Sequence, residues 1–146
     1  FPYTTLFRST LGSHVPLFLA MFISPWVAAF VILASSLGFF MAGYPIVIVF
    51  RAFSHIIFGC LGALYLKRFP QTIENHKSSL IFNFVLGVIH ALGEVIACVI
   101  FYSVTGEDFQ KLFYILFVLV GFGTIVHSMI DYVIALTIFK SIRKIR

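Results

Sequence analysis

The stretch "NFVLGVIHALGEV", residues 83–95, places polar side chains inside a run that otherwise reads as a lipid-soluble helix. At about 100° per residue, Asn83, His90 and Glu94 fall within roughly 60° of one another, together with Gly87. They therefore form one narrow stripe on an apolar helix. A charged side chain at mid-bilayer costs about 2.5 kcal/mol or more, so the stripe is expected to face a polar interior and not lipid.

The composition of the whole chain is typical of a membrane protein. Of its 146 residues, 61% are hydrophobic and 10% are charged, whereas about a quarter of the residues in a soluble domain are charged. Apolar runs near ~20 residues long recur, and this length is needed to cross ~30 Å of hydrocarbon. The sequence therefore predicts an all-α integral membrane protein embedded in a lipid bilayer.

The net charge of +5 comes mainly from two basic clusters, in residues 67–77 and 140–146. Such clusters mark cytoplasmic segments under the positive-inside rule. We therefore expect the loop at 67–77 and the C-terminus to be cytoplasmic, and the segments 43–45 and 105–111 to be external. We expect no nucleic-acid partner, because the basic residues sit at the ends of apolar spans.

The chain divides into five apolar segments that are separated by proline, glycine and charged residues. Pro25 and Pro45 mark two of the breaks, because proline lacks an amide proton and disfavours helical geometry in the residue before it. The segments cover residues 15–23, 26–42, 46–66, 79–103 and 112–139.

The first ten residues differ in character from the rest. The stretch "FPYTTLFRS" resembles translated sequencing-adapter sequence and lacks the order of a signal peptide. We expect residues 1–10 to be non-native, with an ordinary mature terminus as the alternative. Residues 11–146 are expected to form a single transmembrane helical domain.

Two more predicted helices have polar stripes. Arg51, Ser54 and His55 lie within about 100° on the third segment, and a similar group lies on the fifth. If the three stripes face one interior, their polar groups can pair with one another or with a ligand. The candidate substrate-binding residues are Arg51, His55, His90, Glu94, His127 and Asp131.

The roles of these residues are open to more than one interpretation. Arg51 presents a planar fork suited to a ligand carboxylate, but it could equally pair with Glu94 and fix helix packing. Asp131 could face a ligand or pair with the cationic tail. His14 is expected on the outer side, at the start of a short descending segment. Asn83 is expected to make hydrogen bonds between helices.

Enzyme chemistry finds little support in the sequence. His90 and Glu94 give a pair at i and i+4, but no HExxH arrangement occurs, so no metal or other cofactor is predicted. A GxxxxGK[ST] phosphate loop is also missing, so the chain is not expected to hydrolyse ATP. Two alternatives to a binding protein remain: an intramembrane metal-dependent hydrolase and a structural membrane subunit.

Three segments resemble a known family: "HVPLFLAMFISP" (14–25), "SSLGFFMAGYPIVIVFRAFSHIIFGCLGALYLK" (35–67) and "FNFVLGVIHALGEVIACVIFY" (82–102). Over residues 13–140 the chain resembles the S components of energy-coupling factor (ECF) transporters. Within that family, "PIVIVFRAFSHIIF" and "HALGEV" are most similar to members assigned to niacin.

The resemblance implies a six-helix protein that captures a vitamin at the outer face of the bacterial cell membrane. It also implies three partners, a transmembrane coupling subunit and two ATPase subunits. Five segments are counted here, so we expect the first helix of the family to be missing where the adapter-like stretch stands. The implied vitamin is niacin or a related small carboxylated vitamin.

Overall fold

The structure is a computed structural model that describes residues 12–106 and 109–145. Over these residues it contains helices and no strands, which confirms the all-α prediction. The expectations for residues 1–10 and for Glu107 and Asp108 in an outer loop concern residues outside the described ranges. The elements are α1 (Val15–Ile23), α2 (Pro25–Met41), α3 (Ile46–Arg68), a 3₁₀ turn (Pro70–Ile73), α4 (His76–Thr105), α5 (Phe109–Tyr114), a π-helical segment (Ile115–Phe122) and α6 (Gly123–Ile145).

Several of these helices are long and apolar enough to cross a membrane. In the described residues they are α3, α4 and the run Leu116–Ile145, and α2 is a shorter apolar helix of 17 residues. By contrast, α1 has nine residues, so at 1.5 Å per residue it covers only about 14 Å. This is about half of the ~30 Å hydrocarbon core, so α1 must begin or end inside the bundle.

The predicted helix breaks are confirmed at both prolines. Ser24 caps α2, because its hydroxyl accepts a hydrogen bond from the amide of Val27 at 3.2 Å, and Pro25 occupies the first turn. Gly43 has a φ of 75° in the turn between α2 and α3, a conformation that favours glycine. The apolar segment predicted at residues 79–103 lies within α4, which begins three residues earlier, at His76, because Asn75 caps the helix.

The short helix α1 lies in the core of the bundle. Phe18 and Met21 are buried, and the ring of Phe18 lies 5.8 Å from that of Phe58 and 5.6 Å from that of Tyr132. A side chain at Gly62 of α3 would collide with the sulfur of Met21, so glycine allows α3 to approach α1 closely. The helix is therefore enclosed by α2, α3 and α6.

The loop after α3 and the end of α6 lie at one end of the bundle. Glu74 follows the 3₁₀ turn and contacts two cations of α6, with 2.7 Å to the Nη1 of Arg143 and 3.9 Å to the Nζ of Lys140. The two basic clusters are therefore on the same side of the protein. The other end contains the turn between α2 and α3, since α3 runs the length from that turn to the loop that contains Glu74.

Candidate functional site

Glu94 of α4 is the centre of a polar network between three helices. One of its oxygens, Oε2, accepts hydrogen bonds from Nη2 of Arg51 at 2.8 Å and from Oγ1 of Thr124 at 2.7 Å. The other, Oε1, lies 3.1 Å from Nε2 of His55 and 3.6 Å from Nε2 of His90. Only 4% of the Glu94 side chain is exposed. The ion pair with Arg51 that the sequence left open is therefore formed.

The network exists because the three predicted stripes face one another. Gly87 and Gly93 of α4 lie at the contacts with α6 and α3, where added Cβ atoms would make ordinary van der Waals contact with the carbonyl oxygens of Ile125 at 3.5 Å and Ser54 at 3.6 Å. Asn83 adds a hydrogen bond from its amide to the carbonyl of Met129 at 3.1 Å, as predicted. Helices α3, α4 and α6 therefore meet closely enough for their polar side chains to pair.

Asp131 of α6 is the centre of a second network, at the start of α1. Its Oδ1 accepts a hydrogen bond from the amide of Gly12 at 2.7 Å, and its Oδ2 accepts one from the amide of His14 at 2.9 Å. These amides would otherwise be unsatisfied, because they precede the first turn of a helix. The Nε2 of His127 lies 3.2 Å from Oδ2. The alternative pairing of Asp131 with tail cations is wrong, since Arg143 contacts Glu74.

His14, which is expected on the outer side of the membrane, joins the two networks. Its Nδ1 lies 2.9 Å from Nε2 of His127 and 3.4 Å from Oδ2 of Asp131. Its ring centroid lies 4.8 Å from that of His55 and 4.7 Å from that of His90. Four of the five histidines in the chain therefore form one cluster. The sequence signal for this interior position is the shortness of the first apolar segment. A helix of that length cannot span the bilayer, so the residue before it can lie inside the bundle.

A cavity of about 890 Å³ lies beside these networks. Four of the six predicted residues line it, and the other two, His90 and Asp131, are buried behind it. Gly43 and Tyr44 of the turn between α2 and α3 also line the cavity, so it extends toward that end of the bundle. The predicted residues that face the cavity are Arg51, His55, Glu94 and His127.

A family model described as "ECF-type riboflavin transporter, S component" matches residues 2–144. The chain belongs to this S-component family. The resemblance predicted from the sequence is thus confirmed, and the S component is a multi-pass protein of the cell membrane.

One relative of this S component is the niacin transporter NiaX of Lactococcus lactis subsp. cremoris (strain MG1363). The two are 39% identical over 129 residues, which cover 87% of this chain and 58% of the relative. The S component therefore spans about three fifths of the length of the relative that it matches. No solved structure matches it.

Proposed function

We propose that this S component captures niacin or a related small carboxylated vitamin for uptake into the cell, and that it is a binding subunit and not an enzyme. The observation that supports this most is a cavity with Arg51 and Glu94 on its wall, in a chain similar to a niacin transporter. Family membership supports the transport role.

The cavity suits a small aromatic acid. Its volume of about 890 Å³ lies within the ~300–1,000 Å³ of small-molecule sites. Phe39 and Tyr44 line it with ring centroids 5.1 Å apart, and Ile48 adds an aliphatic surface. These side chains offer an apolar environment for a heteroaromatic ring. The polar side chains that line the same cavity are available to the carboxylate and the ring nitrogen.

Arg51 is proposed to bind the ligand carboxylate while it stays paired with Glu94. A guanidinium offers five N–H donors in a planar fork, which is more than one carboxylate can accept. The contact with Glu94 uses Nη2 and fixes the orientation of the fork, and 16% of the side chain remains exposed. His55 and His127 also line the cavity, where either imidazole can donate to the ring nitrogen of niacin. The ion pair and the binding role are therefore compatible.

The acid and amide forms of the vitamin provide the test. We expect Arg51→Gln to weaken niacin binding by about 10- to 100-fold, because a hydrogen bond to a charged group contributes about 1.5–3 kcal/mol. Nicotinamide has no carboxylate, so its affinity should change by less than about 3-fold. Calorimetric titration of the purified protein in detergent measures both.

Arg68→Gln is the matched control, since Arg68 lies exposed at the end of the same helix. This variant should bind both compounds as the parent protein does. Equal losses of niacin and nicotinamide binding in a folded Arg51→Gln protein would refute the assignment of Arg51 to the carboxylate.

The cavity is proposed to open to the outside of the cell, with the C-terminus in the cytoplasm. In support, the cavity extends toward the turn between α2 and α3, at the end of the bundle opposite the two basic clusters. With Cys60 and Cys98 replaced, a membrane-impermeant thiol reagent should label Tyr44→Cys in intact cells and leave His76→Cys unlabelled. The reverse pattern would invert the proposed topology.

The S component is proposed to work with a transmembrane coupling subunit and two ATPase subunits. The family supports this assembly, and the sequence has no phosphate-binding loop of the GxxxxGK[ST] type. Co-expression with these subunits should give a complex that co-purifies and whose ATPase activity requires the ATPase subunits. ATP hydrolysis by the purified S component alone would contradict the proposal.

A further inference from the structure

The two networks contain a set of side chains that has the composition of a transition-metal site. One donor atom from each of His14, His55, His90 and Glu94 lies within 4.8 Å of the others. Imidazole nitrogens with one carboxylate oxygen are ligands that Zn²⁺ and its neighbours in the first transition row accept readily. Because the four residues come from α3, α4 and the start of α1, an ion here would join three elements of the fold.

The distances from Glu94 to two of the histidines fit a tetrahedral metal ion. Bonds of about 2.0–2.1 Å around a tetrahedral ion place neighbouring ligand atoms about 3.3 Å apart. The Oε1 of Glu94 lies 3.1 Å from Nε2 of His55 and 3.6 Å from Nε2 of His90. These two distances bracket the tetrahedral value, so Oε1 and the two nitrogens can share one ion after small side-chain movements.

The surroundings hold the ligands as the outer shell of a metal site does. The Oε2 of Glu94 is bound by Arg51 and Thr124, which leaves Oε1 directed toward the imidazoles. On the other side, Nδ1 of His14 contacts His127 and the carboxylate of Asp131. A carboxylate behind a histidine orients its ring and raises its basicity as a ligand. Asp131 also adds a second negative charge, which offsets the charge of Arg51 near a cation.

His90 is an independent observation that points to a missing ligand. Its side chain is fully buried, and neither ring nitrogen has a hydrogen-bond partner among the described residues. A buried polar group without a partner destabilises the fold, because it has lost its hydrogen bonds to water and gained none in return. The ring stacks on Phe58 with centroids 4.1 Å apart, which fixes its plane while its Nε2 lies near Glu94. A metal ion at Nε2 would give that nitrogen a partner.

We propose that His14, His55, His90 and Glu94 bind one divalent transition-metal ion. Zn²⁺ is the ion used to test this. The ion enters through the cavity, because His14, His55 and Glu94 line it. The site goes beyond the proposed vitamin binding and does not depend on it. Metal binding is measured without any vitamin, so the two proposals can fail separately.

The test uses the 146-residue protein in detergent, stripped of metal with a chelator. Calorimetric titration with Zn²⁺ should show one tight site, and Co²⁺ should give the visible absorption bands of a tetrahedral nitrogen-oxygen site. His90→Phe keeps the stacked ring and removes both nitrogens. This variant should fold with an unchanged or higher melting temperature without metal, and its Kd for Zn²⁺ should rise by at least about 100-fold.

Further variants locate the site. His55→Gln should show the same loss, and it keeps the test decisive if His90→Phe does not fold. His76→Gln is the control for surface binding, since His76 is exposed at the start of α4, and its affinity should be unchanged. The proposal is overturned if the parent protein binds neither Zn²⁺ nor Co²⁺, or if a folded His90 or His55 variant retains parental affinity. Loss in His127→Gln with retention in His90→Phe would also overturn it, by placing the ion beside Asp131.

Discussion

Glu94→Gln is expected to lower the free energy of unfolding by about 3–5 kcal/mol, the cost of removing one partner from a buried charge pair. The carboxylate accepts from Arg51 and Thr124 and lies against His55, and only 4% of it is exposed. Glutamine has nearly the same shape, so the loss reports the charge and not a cavity. Denaturant unfolding in detergent micelles, followed by circular dichroism, measures the change.

Glu74→Gln is the matched control for this prediction. Glu74 also pairs with an arginine, at 2.7 Å from Arg143, but its side chain is 53% exposed. Pairs of this kind contribute about 0–1 kcal/mol, because water screens them and long side chains lose entropy in forming them. If the two variants lost the same stability, burial would not be the reason for the strength of the Glu94 network.

Asp131→Asn is expected to release the start of α1, because the carboxylate accepts from the amides of both Gly12 and His14 through different oxygens. Asparagine has one acceptor oxygen, and its NH₂ group would face a backbone donor. Each hydrogen bond to a charged group contributes about 1.5–3 kcal/mol, so we expect destabilisation of at least that size. Hydrogen exchange measured by mass spectrometry should show faster exchange at the beginning of α1.

Ser128→Ala tests whether the effect is specific to the carboxylate. Ser128 is fully buried on the same helix, and its hydroxyl has no hydrogen-bond partner among the described residues. Its removal leaves no partner unpaired and relieves the desolvation of a buried hydroxyl, so the free energy of unfolding should stay the same or rise. Slow exchange at Gly12 and His14 in Asp131→Asn would show that other contacts hold α1 in place.

The helical architecture and the common interior were predictable because both depend on local information. Proline at positions 25 and 45 marks helix starts whatever the tertiary structure is. The 3.6-residue period likewise fixes which side chains share a face, so the stripes containing Arg51, Glu94 and His127 could be assigned to an interior. Periodicity assigns a face to a side chain, but it does not assign the atom that the side chain contacts.

The contacts of Asp131 and His14 could not be predicted, because they depend on the depth in the bundle at which each helix begins. From the sequence, Asp131 could face a ligand or pair with the tail cations; in the structure its carboxylate accepts from two backbone amides, and the ligand role stays a prediction. Its partners are the amides that precede α1, and they reach it because α1 starts halfway through the bundle. His14 lies in the interior for the same reason, because it immediately precedes α1. Helix α4 begins before its apolar segment because Asn75 caps it, and hydropathy does not report a capping residue.

The bond between Asp131 and Gly12 joins positions 119 residues apart in the chain. At roughly 5–20 residues per second, a ribosome needs about 6–24 s to make the intervening segment. During that interval α1 is synthesised and inserted, but the carboxylate that binds its first amides does not yet exist. Biogenesis must therefore shelter α1, at the insertion machinery or in the lipid interface, until α6 emerges.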